Sequence, residues 1–226
     1  VSKYNELADL IFILTVLIAL FLNDIAHEII VDNLVLLLIS GFIIAVLSKI
    51  FPVLIKSIMY GNKNVRKKLL GKEYLEGKWI DEVRCNNEVI GYGLITVSSN
   101  LDSIRIDGEW YDTALNQKLD NFHSEHLQME WPVITFVHQA HRGDKKEKPS
   151  IKGITVITIQ VNIDSAPNQW IGYYVDELDS CYNNTVAYKI LDRSIIKKLE
   201  NTNTKKDAIK ELIGKNFNKP LTVIAK

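Results

Sequence analysis

Cysteine is scarce. Cys85 and Cys181 are the only two in 226 residues, too few for a disulfide framework or an all-cysteine zinc site. Five prolines and eleven glycines exclude collagen-like and low-complexity chains. Charge of either sign is not in excess: 27 Lys and Arg balance 27 Asp and Glu. A protein that coats nucleic acid would be basic, so no DNA or RNA polymer is expected as a partner. There is no HExxH pair, no GxSxG elbow and no phosphate loop ending in GKS or GKT. Gly91-Tyr92-Gly93 lacks the following helix that a dinucleotide fingerprint needs. No enzymatic activity, metal or cofactor is therefore expected.

What is present is unevenly distributed. The first 72 residues carry 8 basic and 5 acidic groups, and the rest of the chain carries 19 and 22. Residues 10–22 contain no charge and one polar residue, Thr15, and residues 34–48 are again uncharged. A spanning helix needs roughly 20 mostly apolar residues. Helices over about 7–22 and 34–55 meet this if Asp9 and Lys49 sit at headgroup level. Residues 1–60 thus read as a transmembrane helical hairpin. Buried soluble helices are the alternative, as is a signal peptide with one anchor. A signal peptide would need a basic start and a small-residue cleavage site, and the start instead carries Glu6 and Asp9.

Between the two segments lie Asp24, Glu28 and Asp32 with no Lys or Arg. From Lys49 to Lys72 there are seven basic residues and no acid. The positive-inside rule places that side, and both termini, in the cytoplasm, where both thiols would be reduced. Residues 61–76 form a basic juxtamembrane linker suited to anionic headgroups or serving only to set topology.

From residue 77 the hydrophobic period becomes two, the signature of strands. Strands are expected over 77–85, 89–98, 101–111, 118–127, 131–140, 151–161, 170–177 and 185–192. Trp79, Asp81 and Val83 share one face. Ile104, Ile106 and Trp110 share a face opposite Arg105, Asp107, Glu109 and Tyr111. Eight strands with short turns close most simply as an antiparallel up-and-down β-barrel, which also removes exposed edges and can hold one small ligand. A C-terminal helix is expected over 205–213, capped by Asn203 or Thr204 and ended by Gly214.

His123, His126, His138 and His141 lie close in sequence. The members of each pair three apart point to opposite strand faces, so a structural or surface role fits them better than a metal site. Asp176, Glu177 and Asp179 read as a solvated rim at a strand end. Aromatic residues on the strands suit either core packing or base stacking.

Gly77-Lys78-Trp79 resembles the G-x-W opening of lipocalins. Two membrane helices, a basic stretch, Tyr74-Leu75-Glu76-Gly77-Lys78-Trp79 and eight strands together resemble the two-transmembrane, β-strand-rich effectors of bacterial cyclic-oligonucleotide antiphage signalling (CBASS). Gly172-Tyr173-Tyr174-Val175-Asp176 is also similar to that family. The resemblance implies an inner-membrane effector whose cytoplasmic barrel, residues 77–226, binds a cyclic di- or trinucleotide made by a partner nucleotidyltransferase. Binding would drive homo-oligomerisation in the bilayer, membrane disruption and abortive infection. Arg84, Tyr92, Arg105, Tyr111 and Tyr173 are the expected ligand contacts, because Arg pairs with phosphate and Tyr stacks or hydrogen-bonds. Arg105 and Tyr111 share a face, which points outward if the apolar face fills the barrel. Two other classes remain open: a membrane-tethered carrier or sensor of an apolar ligand, and a structural membrane-interaction protein.

Overall fold

The computed structural model describes residues 61–99, 103–142, 151–160, 167–177 and 182–217, with scattered positions between 10 and 57. The expected hairpin, 7–22 and 34–55, lies mostly outside the described residues. At the described positions Leu10, Leu17, Leu20, Phe21, Phe42 and Val53 are helical and more than half exposed. Among the described residues no helix is long and apolar enough to cross a membrane.

The chain divides into two compact units, one of residues 1–71 with 100–103 and one holding the remainder. In the first, the segment read as a linker contains helix α1, Lys63–Leu70. Its N-terminus is capped by Asn62, whose side chain accepts from the amides of Asn64 and Val65. Gly71 ends it at φ 53°, a positive φ open to glycine, and its N–H donates to the Lys67 carbonyl.

The second unit is a closed barrel of eight antiparallel strands in sequential order. They are β1 (Gly77–Cys85), β2 (Glu88–Ser99), β3 (Ile104–Tyr111), β4 (Lys118–Glu130), β5 (Val133–Arg142), β6 (Ile151–Gln160), β7 (Gln169–Asp176) and β8 (Asn183–Lys189). The ring closes through β1 and β8, with Asp81 opposite Ala187. β4 is longer than expected because a register shift between Glu125 and Gln128, with His126 at φ 47°, interrupts its alternation. Such a bulge hides a strand from a period-two reading.

Alternation builds two separate cores. Trp79, Val83, Ile95, Ile106, Ile134 and Ile157 are buried in the barrel interior. Trp79 and Trp170 stack there, with ring centroids 4.1 Å apart. The Trp79 indole donates to the Leu75 carbonyl at 3.0 Å, and Tyr74 and Leu75 are themselves buried. This end of the barrel is plugged. Gly77 bends the chain into it at φ 134°, a conformation open to glycine.

The second core lies outside the sheet. Helices α2 (Arg193–Glu200) and α3 (Thr202–Asn216) bury Ile195, Leu199, Ala208, Ile209 and Leu212 against Ile80 and Leu94 of β1 and β2. α2 was not expected. The strand read as continuing to Asp192 stops at Lys189, and Asp192 instead caps α2 by accepting from the Ser194 amide at 2.8 Å. A hydrogen bond from the Ser194 hydroxyl, together with the one from the amide, holds the Asp192 carboxyl below its ordinary pKa. α3 begins earlier than expected, capped by Asn201, and runs through Gly214 to Asn216. Ile213 and Phe217 pack onto the same cluster, and that burial outweighs the roughly 1 kcal/mol cost of an interior glycine.

One expectation is overturned. Cys85 is disulfide-bonded rather than a reduced thiol. The β1–β8 register sets Cys85 opposite Asn183, two residues along the chain from Cys181, which lies outside the described residues.

Candidate functional site in the barrel lumen

The barrel interior is not filled. A cavity of about 410 Å³ runs from Trp170, beside the plug, to Gln117 and Asp176 at the opposite end. Its wall is mainly apolar and aromatic, with Ile95, Ile106, Trp110, Phe122, Phe136 and Ile157 among its residues. Glycines on the same faces make room for the larger rings. A Cβ on Gly108 would stand 2.2 Å from the Phe122 ring, and one on Gly91 would stand 2.8 Å from the Trp110 ring.

Polar groups interrupt this wall at two places. Asp81 is buried on β1 and accepts from the Thr185 hydroxyl of β8. Burial pushes its carboxyl up to about 8, with the neighbouring Glu82 adding to the rise and Thr185 opposing it. Asp81 is therefore mostly neutral at pH 7. The second place is a chain across β5, β6 and β7. His138 Nε2 lies 2.6 Å from Asp176 Oδ1, and its Nδ1 lies 2.8 Å from Thr155 Oγ1. Asp176 lies on the Nε2 side of the ring and the Thr155 hydroxyl, which can donate or accept, on the Nδ1 side. Gly153 sits between His138 and Asp176 in the register. A Cβ there would be 2.4 Å from His138 Cε1, so glycine is what lets the imidazole lie across β6. Tyr174 makes near-perpendicular ring contacts with both His138 and Trp110, at centroid distances of 5.6 and 6.3 Å.

Asp120 also lines the cavity. Three carboxyl groups and one imidazole thus face the lumen, and none of its described lining residues is Lys or Arg.

None of the five residues expected to contact ligand lines this cavity. Arg84 bonds Glu82 on its own strand at 2.7–2.8 Å. Tyr92 and Tyr111 are cross-strand partners and pack against the helix-covered cluster. The Tyr111 hydroxyl donates to Glu109 at 2.9 Å. Burial, with the Glu109 hydrogen bond and charge, pushes the Tyr111 phenol well above its ordinary value. Tyr92 is raised by burial and by Glu82. Arg105 is exposed and pairs with Asp107. Tyr173 is exposed on β7 beside Tyr182. The structure therefore gathers Arg84, Tyr92 and Tyr111 near one another on the outer face and leaves Arg105 and Tyr173 elsewhere.

Arg105 does line a second hollow, of about 400 Å³, on the outside of β2–β4. Lys78, Lys205, His123 and His141 share it with Asp107 and Glu109. His123 and His141 stack there at 5.8 Å, while His138 faces inward, so the opposite-face expectation describes the β5 pair. Among the described residues no group of three His, Cys, Asp or Glu side chains could hold a metal. Asp176, read as a solvated rim, instead bonds His138 in the lumen. The sequence signal for the lumen was a polar residue on an apolar strand face, as with Asp81 between Trp79 and Val83. Neither a known family model nor a curated protein matches the chain.

Proposed function

We propose that the barrel is a ligand-sensing module whose lumen holds one small molecule with a largely apolar body, and that residues 1–60 tether it to a membrane. The observation that carries this reading is the cavity of about 410 Å³ inside a barrel stopped at one end by Trp79 and Trp170. Small-molecule sites are concave, mostly apolar and carry a few placed polar groups, and eight-stranded barrels hold a single ligand of this size. A barrel serving only as a structural module would be filled by its own side chains. The exposed helical apolar residues Leu10, Phe21 and Phe42 support the tether, since such residues mark lipid or partner contact when they gather.

The hydroxyl–imidazole–carboxylate order of Thr155, His138 and Asp176 copies the connectivity of a nucleophilic triad. Binding is still the better account. β6 is paired on both edges from Gly153 to Thr158, so its amides are engaged in the ladders and offer no oxyanion hole.

A second reading is the cyclic-oligonucleotide effector: an inner-membrane protein that answers the product of a partner nucleotidyltransferase by oligomerising and disrupting the bilayer. The outer hollow favours it, because Lys78, Arg105 and Lys205 are suitable phosphate partners. In that reading the ligand sits outside the barrel, in the hollow that these three residues line. The cues to the barrel's compartment conflict. The seven basic residues from Lys49 to Lys72 point to the cytoplasm, and the disulfide at Cys85 points to an oxidising compartment.

Calorimetric titration of the full chain with 2-(1-naphthyl)ethanol and with a panel of cyclic dinucleotides separates the readings. The lumen reading expects saturable binding of the alcohol at one molecule per chain and no heat from the nucleotides. Nucleotide heat that disappears in Arg105→Ala, with none from the alcohol, would replace it by the second reading.

A further inference from the structure

Resting on the lumen as the ligand site, we propose that this site selects an uncharged ligand: a compact aromatic or aliphatic body whose polar part is a neutral hydroxyl or carbonyl group. The titratable groups that line the cavity are Asp81, Asp120, Asp176 and His138, and each is accounted for without a ligand. Asp176 Oδ1 lies 2.6 Å from His138 Nε2, and the two side chains are only 19% and 8% exposed. Thr155 meets the other ring nitrogen at 2.8 Å. Asp120 stands opposite Arg142 in the β4–β5 register and has an interaction of its own. Asp81 accepts from the Thr185 hydroxyl, and burial keeps its proton on at pH 7. Among the described lining residues, then, no charge of either sign is left over for a ligand.

Inside a barrel the dielectric is low, so a ligand charge that leaves water unmatched is costly. An anion would find no Lys or Arg among the described lining residues. A cation would have to strip the proton from Asp81 or draw Asp176 away from His138. Attraction to the Trp and Tyr faces is smaller than the cost of desolvating an ammonium group. A neutral group loses far less hydration, and the wall can replace it. A protonated carboxyl both donates and accepts, so Asp81 can serve a hydroxyl or a carbonyl in turn. The register leaves room beside it. Asp81 pairs with Gly93, and Gly93 with Trp110, so no side chain stands between carboxyl and indole in that row. Asp81 Oδ2 lies 3.4 Å from where a Gly93 Cβ would stand. A neutral body over that bare position meets the acid and the Trp110 ring together.

A charge series on one body tests this: 2-(1-naphthyl)ethanol, 2-(1-naphthyl)ethylamine and 1-naphthylacetate, titrated calorimetrically into the full chain at pH 7. The expected result is an alcohol bound at least about tenfold more tightly than either charged analogue. His138→Leu removes the partner of Asp176 and leaves a carboxylate unmatched. In that variant the alcohol's advantage over the amine should shrink severalfold, while alcohol binding persists and reports that the lumen is intact. An unchanged advantage in a folded variant would overturn the matching argument. Should the variant fail to fold, the wild-type series alone decides. A smaller gap for either charged analogue in the wild type, or a preference for one of them, would overturn the proposal and leave the lumen reading standing. No binding by any of the three would overturn both.

Discussion

Asp81→Asn should flatten the dependence of stability on pH. In the folded chain the Asp81 carboxyl titrates at about 8, against 3.8 for its ordinary value. A raised acid binds its proton more tightly folded than unfolded. Its contribution is therefore fully present below about pH 4 and is lost as pH rises through 8. Integrated over that window, the loss is roughly 6 kcal/mol. Asparagine keeps an oxygen to accept from Thr185 and has no charge to desolvate. Its extra amide donors add an offset that does not vary with pH, so the test lies in the slope. Urea unfolding of wild type and variant from pH 4 to 9 should show the variant gaining relative to wild type across the window, most at the alkaline end. Parallel curves would mean that Asp81 is not a buried acid.

Trp79→Ala should be among the most damaging single substitutions. Trp79 is fully buried, stacks on Trp170 and donates its indole N–H to Leu75. Truncating a core Trp costs about 3–5 kcal/mol. Here it also opens the plugged end of the lumen, because the stack is what stops it. Trp79→Phe keeps a ring in place and leaves the Leu75 carbonyl without its donor, for a loss nearer 1 kcal/mol. Denaturant midpoints of the two variants check the order. A loss below about 1 kcal/mol for the alanine variant would show that the plug is not a stability element.

Much of the barrel was legible because its strands alternate. β1 matches its expected bounds, and the inward sets Trp79-Asp81-Val83 and Ile104-Ile106-Trp110 follow from parity alone. α2 was not legible because Arg193–Glu200 directly follows a strand with no glycine or proline between them. Its signals were Asp192 at the cap and Ile195 and Leu199 four apart, on one helix face. The lumen was less legible than the fold. Arg84, Tyr92, Arg105, Tyr111 and Tyr173 have suitable chemistry but lie on the outward faces of their strands. The parity that sent Arg105 and Tyr111 outward was already visible. His138, Thr155 and Asp176 meet only through the β5–β6–β7 register, across 38 residues of chain, and no local spacing announces such a contact.

The claim that the lumen is the ligand site is tested most directly by filling it. Ala140 lines the cavity, and Ala140→Trp would place an indole in that space with Asp81, His138 and Asp176 left unsubstituted. Calorimetric titration of this variant with 2-(1-naphthyl)ethanol should show binding abolished, with the barrel's circular dichroism unchanged. Wild-type affinity retained in a folded Ala140→Trp chain would place the ligand outside the barrel and contradict the account.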